Sequence, residues 1–119
     1  MPMAASKNTE HRDLFAGALE MMILRSVQRR PMHGYALVQH IKQQSNELLL
    51  VEEGSLYPAL QRLLKDGLLK ADWEISPSKR RVRTYRITPA GKKRLDRDVS
   101  SFQRMFEGIT RVIFPAESS

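Results

Sequence analysis

EEGSLYPALQRLLKDGLLKADWEISPSKRRVRTYRITPAGKKRL, residues 52–95, changes its hydrophobic period twice, and those two changes decide the fold. In the first part Leu56, Leu60, Leu63 and Leu64 recur at helical spacing, with Gln61, Arg62 and Lys65 on the other side. Pro58 is tolerated where the first-turn N–H groups have no intrahelical partner to lose, which predicts a helix start near Gly54 or Ser55. Gly67 is placed as the residue just past the helix end. Beyond it Leu69, Ala71, Trp73 and Ile75 alternate with Lys70, Asp72 and Glu74, the period of a half-buried strand. Ser76-Pro77-Ser78 signals a turn, and Val82 to Thr88 reads as a returning strand with Tyr85 and Ile87 on one face and Thr84 and Arg86 on the other. Thr88-Pro89 is an N-cap followed by proline at the first helical position, so a last helix begins there.

Upstream, Leu14, Phe15, Ala18, Leu19, Met22, Ile23 and Val27 describe an amphipathic helix from about Asp13 to Gln28, ended by Pro31. A shorter helix follows the His33-Gly34 turn, with Tyr35, Leu37, Val38 and Ile41 on its apolar face, and fades by Ser45-Asn46. Downstream, Leu95, Val99, Phe102, Phe106, Ile109 and Ile113 recur with alternating spacings of three and four, a heptad-type seam. The order is three helices, a strand, a wing, a strand and a helix. It predicts a mainly α protein with a β-hairpin (α+β), a winged helix-turn-helix with a C-terminal dimerisation helix. The expected divisions are a tail at 1–12, a DNA-binding domain at 13–88, the dimerisation helix at 89–114 and a tail at 115–119.

The chain of 119 residues carries 20 Lys and Arg against 13 Asp and Glu, a net charge of +7. Nine of the basic residues lie between 79 and 97 against one acid, Asp96, whereas residues 1–52 hold six basic and five acidic residues. Such a local excess points to a polyanion partner. A length of 119 residues with 41% hydrophobic content supports one domain with a core of its own. The absence of Cys excludes disulfides, thiolate metal sites and a cysteine nucleophile. No apolar run is long enough for a membrane span, and a cytoplasmic, nucleoid-associated location is expected.

In a winged helix-turn-helix the third helix enters the major groove and the hairpin tip reaches the backbone or minor groove beside it. Ser55, Tyr57 and Arg62 are available to base edges, and Lys79, Arg80, Arg81 and Arg83 to phosphates. His33 with Gly34 either offers a phosphate a donor at a helix start or only shapes the turn. Tyr57 either reaches DNA through its hydroxyl or packs beside Leu60. Trp73 is read as hairpin core rather than as a ligand platform. The seam from Leu95 to Ile113 wants a second copy of itself, the alternative being the protein's own helical body.

Three segments carry a family resemblance: PMHGYAL at 31–37, EEGSLYPALQRLLKDGLL at 52–69 and RTYRITPAGKKRL at 83–95. In this order they resemble the PadR family of bacterial transcriptional regulators over roughly residues 13–97. The resemblance implies a dimeric regulator of double-stranded DNA, usually a repressor, whose operator affinity is relieved by a small molecule. With about 22 residues after Arg97, the chain resembles the short class, in which one last helix supplies much of the dimer contact; Leu14 and Phe15 are expected to meet the partner's last helix. The last-helix Trp with which some short members bind flat aromatic drugs has no counterpart, Phe102, Met105 and Phe106 standing there instead.

An enzyme is not expected: there is no nucleophile elbow, phosphate-cradling Gly-rich loop or HExxH. His11, His33 and His40 lack metal-ligand spacing, and no cofactor is implied. The competing reading is a winged helix serving as a protein–protein module. Five basic residues in the eight of KRRVRTYR argue for DNA over it, and duplex RNA offers a major groove too narrow for a recognition helix.

Overall fold

The computed structural model describes residues 17–117. The expected tail at 1–12, the helix start at Asp13 with Leu14 and Phe15, His11, and the last two residues of the C-terminal tail lie outside the described residues. Helix α1 covers residues 17–29 of the described chain. It is followed by strand β1 (Met32–His33), helices α2 (Gly34–Gln44) and α3 (Glu53–Lys65), strands β2 (Leu69–Ile75) and β3 (Arg81–Ile87), and helix α4 (Pro89–Ile113). Leu19, Ile23, Leu24 and Val27 of α1 form one core with Leu37 and Ile41 of α2, Leu56, Leu60 and Leu63 of α3, Tyr85 of β3 and Leu95 of α4. The apolar stripes of α1 and α3 face this core, with Leu37, Val38 and Ile41 of α2 and the start of α4 as far as Val99, whereas Tyr35, expected on the apolar face of α2, is exposed.

Both helices of the helix-turn-helix stop by the same device. After α3, Leu68 N–H donates to Leu63 O at 2.9 Å and Gly67 N–H to Leu64 O at 3.1 Å, the two bonds of a Schellman motif, with Gly67 at φ +73. After α2, Glu47 N–H donates to Lys42 O at 2.8 Å and Asn46 N–H to Gln43 O at 3.1 Å, and Asn46 and Glu47 take positive φ. Helix α3 begins at Glu53, before the expected Gly54 or Ser55, so Pro58 is its sixth residue and leaves the Gly54 carbonyl without a helical donor. Gly54 is exposed, so that carbonyl is open to solvent rather than buried without a donor.

The hairpin has the expected strands, but the sheet has a third. β1 pairs with the far edge of β3, Met32 opposite Tyr85 and His33 opposite Thr84, in the order β1-β3-β2. Two residues show no period, so the sequence carries no sign of this strand. Thr84, expected on the outer face, is buried along that edge. The outer half of β2 is not half-buried as expected: Trp73 and Ile75 are 58% and 66% exposed, because the hairpin projects past the helices and only Leu69 and Ala71 reach the body. Trp73 is therefore not hairpin core.

Thr88 joins three elements. Its hydroxyl accepts from Gly91 N–H at 3.0 Å, capping α4, and donates to Gly67 O at 2.7 Å, while its N–H donates to Leu68 O at 3.1 Å. Gly91 lies so close to this turn that a Cβ there would collide with the Leu68 carbonyl oxygen and press on Ile87 Cγ1 at 2.8 Å. A backbone carbonyl cannot swing aside as a side chain can. Gly91→Ala is expected to cost about 1–3 kcal/mol in urea denaturation through overpacking, and Gly67→Ala about 1 kcal/mol through its positive φ alone. Equal, negligible losses would refute this account of the joint.

Candidate nucleic-acid interface

The exposed side of α3 carries Gly54, Ser55, Tyr57, Pro58, Gln61, Arg62 and Lys65. Gln61 and Lys65, not among the expected DNA contacts, share this face with Tyr57 through their four-residue spacing. Ser55 is exposed in the first turn. Tyr57 is 41% exposed and leans across the start of α2, where a Cβ on Gly34 would lie 2.7 Å from the Tyr57 hydroxyl oxygen. Glycine at 34 makes room for that phenol. Its neighbour His33 caps α2, Nδ1 accepting from Ala36 N–H at 3.3 Å, so His33 shapes the turn and keeps Nε2 as its remaining polar atom.

Arg62 has another partner. Its Nε donates to Glu20 of α1 at 2.9 Å, and Glu20 also takes a 3.5 Å contact from Arg94 of α4. Arg94 is held further by Asp98 at 2.6 Å, a hydrogen bond that together with the nearby carboxylates raises its pKa above the ordinary guanidinium value. The Glu20 carboxylate thus bridges α3 and α4, and sequence spacing cannot show a partner forty-two residues away.

The wing tip is built on a three-residue loop: Lys79 N–H donates to Ser76 O, Ser76 N–H to Arg80 O, both at 2.8 Å, and Lys79 takes φ +63. Ser76 Oγ accepts from Arg80 N–H at 3.2 Å and fixes the turn. Lys79, Arg80 and Arg81 are exposed there, with Arg83 half-buried farther down. The ribbon has unlike faces. On one, Arg86 donates to Asp72 at 3.1 Å and Glu74 at 3.2 Å. On the other, Arg81 and Arg83 lie over the Trp73 ring, 4.4 and 5.9 Å from its centroid. Among the described residues Lys79, Arg80, Arg81 and Arg83 form no ion pair with a carboxylate. At the foot of the wing Tyr85 is buried in the core that Leu56, Leu60 and Leu63 of α3 share; its pKa is raised chiefly by burial, with Arg83 opposing and Tyr57 adding.

The last-helix seam divides in two. Leu95 is fully buried in the protein's own core and is not a dimer contact, and Val99 packs on that core as well. From Phe102 the helix runs past the body: Phe106, Ile109 and Ile113 are 60%, 45% and 61% exposed, and Phe102 stacks on Phe106 with centroids 6.1 Å apart. A groove of about 530 Å³ opens where α1, α2 and α4 meet, lined by Met21, Met22, Ile41, Leu49, Val99 and Phe102, with Arg25, Arg29 and His40 beside them. No group of His, Cys, Asp and Glu among the described residues could hold a metal ion, and no helix among them is long and apolar enough to cross a membrane.

The sequence profile of the transcriptional regulator PadR-like family matches residues 23–97, from the second half of α1 through the first turns of α4. The chain belongs to that family. It is 32% identical over 107 residues to the transcriptional regulator Rv3488 of Mycobacterium tuberculosis, covering 90% of this chain and 92% of that one. Its fold is similar to a transcriptional regulator from Clostridium thermocellum, with TM-score 0.76 and 28% identity over 83% of this chain and 96% of the other. A PadR family transcriptional regulator from Eggerthella lenta superposes with TM-score 0.73 and 28% identity, over 96% and 95% of the two chains. The PadR-like chain is thus a transcriptional regulator, which implies DNA-binding regulation, and not an enzyme. A double-mutant cycle of Glu20→Gln and Arg62→Ala is expected to give a coupling of about 0.2–1 kcal/mol in urea denaturation, as for a partly exposed pair. Zero coupling would leave Arg62 free for the groove.

Proposed function

We propose that this PadR-like regulator is a homodimeric repressor that reads an operator of two half-sites in double-stranded DNA and is released by a small-molecule effector. The observation that carries the reading is the exposure of Tyr57 on α3 together with the wing cations Lys79, Arg80, Arg81 and Arg83, which have no carboxylate partner among the described residues. It offers a groove-facing helix and a phosphate-facing ribbon. In this reading residues 13–88 bind DNA and 89–114 dimerise. Ser55 and Tyr57 contact base edges, and Arg62 joins them only by leaving Glu20. His33, Lys79, Arg80, Arg81 and Arg83 hold phosphates. The uncovered apolar side of α4 from Phe102 to Ile113 supports a second copy as partner, since no monomer gains by leaving such a stripe in water. The groove between α1, α2 and α4 supports the effector, its volume being that of small-molecule sites. Such a regulator works in the cytoplasm, on the nucleoid.

Selection from a random duplex pool is expected to return half-sites about 10–10.5 base pairs apart, matching recognition helices about 34–36 Å apart. Affinity is expected to fall by about 10³–10⁵ between 50 and 200 mM salt if the dimer neutralises on the order of 6–10 phosphates. A flat salt response would favour a protein partner for the wing.

Phe106→Glu is expected to sediment as a monomer and to bind the operator weakly. A wild-type monomer at tens of micromolar would overturn the dimer. Tyr57→Ala is expected to cost roughly 1–3 kcal/mol on the operator and little on scrambled duplex. Arg80→Ala is expected to weaken both alike and to reduce the salt slope by about one; equal losses on both duplexes for Tyr57→Ala would refute its role as a reader.

A further inference from the structure

Trp73 is the chain's sole tryptophan, and it stands 58% exposed on a hairpin whose core needs nothing from it. In the register of β2 and β3 it is opposite Arg83, and its neighbour Ile75 is opposite Arg81, so indole and both guanidiniums share one face of the ribbon. Arg81 Cζ lies 4.4 Å and Arg83 Cζ 5.9 Å from the ring centroid, within cation–π range. We propose that Trp73 is a positioning residue for the DNA backbone, holding Arg81 and Arg83 on one face of the wing before DNA arrives. The inference rests on the wing contacting phosphates.

The chemistry lies in how a guanidinium is held. Stacking uses the face of its plane and leaves the in-plane N–H donors free for phosphate oxygens. Arg86, on the same strand, shows the opposite case: its Nε and Nη2 each donate to a carboxylate, Asp72 at 3.1 Å and Glu74 at 3.2 Å, which takes up donors along two sides of its plane and balances its charge. Carboxylates could have ordered Arg81 and Arg83 equally well, but only by occupying the groups a phosphate needs and by cancelling their charge. An indole orders them and cancels nothing. Without it the two side chains stay mobile, and their freedom is lost only on binding, which weakens the complex.

The test compares Trp73→Leu and Trp73→Phe, each alone and in an Arg81→Ala, Arg83→Ala background, for binding to the selected operator and to scrambled duplex across a salt series. Trp73→Leu is expected to weaken binding to both duplexes by about 3- to 10-fold per wing. Its salt slope is expected to stay that of the wild type, because the phosphate contacts still form. Trp73→Phe is expected to recover part of the loss, and in the background lacking both arginines Trp73→Leu is expected to change nothing further. Thermal melting of each variant close to wild type keeps folding out of the comparison, since the side chain is exposed. A loss that persists without the arginines would mean that the indole touches DNA itself, and no loss in either background would mean that the arginines need no platform; each overturns the proposal. A wild-type protein that binds no duplex overturns instead the assignment of the wing to DNA, so the two failures are distinguishable.

Discussion

One threonine fixes the relative placement of everything that matters in this protein. Thr88 hydrogen-bonds the turn that ends α3, terminates the wing strand and caps α4, and Gly91 lets that last helix lie directly against the same turn. The groove-facing helix, the wing and the outward-running helix therefore diverge from a joint of four residues, Gly67, Leu68, Thr88 and Gly91. Side-chain-to-backbone bonds at 2.7 and 3.0 Å have narrow angular tolerance, and the close approach at Gly91 removes the remaining slack. The core supplies the free energy of folding, and the joint adds directional bonds that set the angles between the elements.

Much of this was legible in the sequence because the signals were local. Gly67 as helix terminator, Thr88-Pro89 as helix start and the period change between them are each decided within a few residues, and each has its expected place. Long-range pairings left no trace. β1 is two residues of extended chain that become a strand only because β3 lies beside them, and Arg62 looks like any polar residue on a helix until Glu20 of α1 is seen to hold it. Leu95 shows the limit of periodicity from another side: a regular seam along α4 has one composition throughout, yet its first residue faces the protein's own core and its later ones face outward. Where a helix leaves the body depends on the body's size, which spacing does not encode.

Trp73 is the most instructive departure. Alternation along β2 predicts it as core, and it does lie on the same face as the buried Leu69 and half-buried Ala71. The period was right and the environment was not, because the ribbon outruns the helices that would cover it. Arginines opposite and diagonal to an aromatic position are a sequence-visible pattern only once the hairpin register is known, and that register depends on a loop in which Lys79, not glycine, takes the left-handed conformation.

The unlike faces of the ribbon bear on how a productive encounter with DNA begins. A hairpin with cations on both sides would stick to a polyanion in either orientation and would have to detach or roll before the helix beside it could enter a groove. Here the two cations of the opposite face, Lys70 and Arg86, are balanced by Asp72 and Glu74 and leave it no net charge, whereas the face over the indole is purely positive. Arrival on the wrong side gains nothing from the phosphates, so misoriented collisions are short-lived and the handed approach is selected electrostatically before any base edge is sampled.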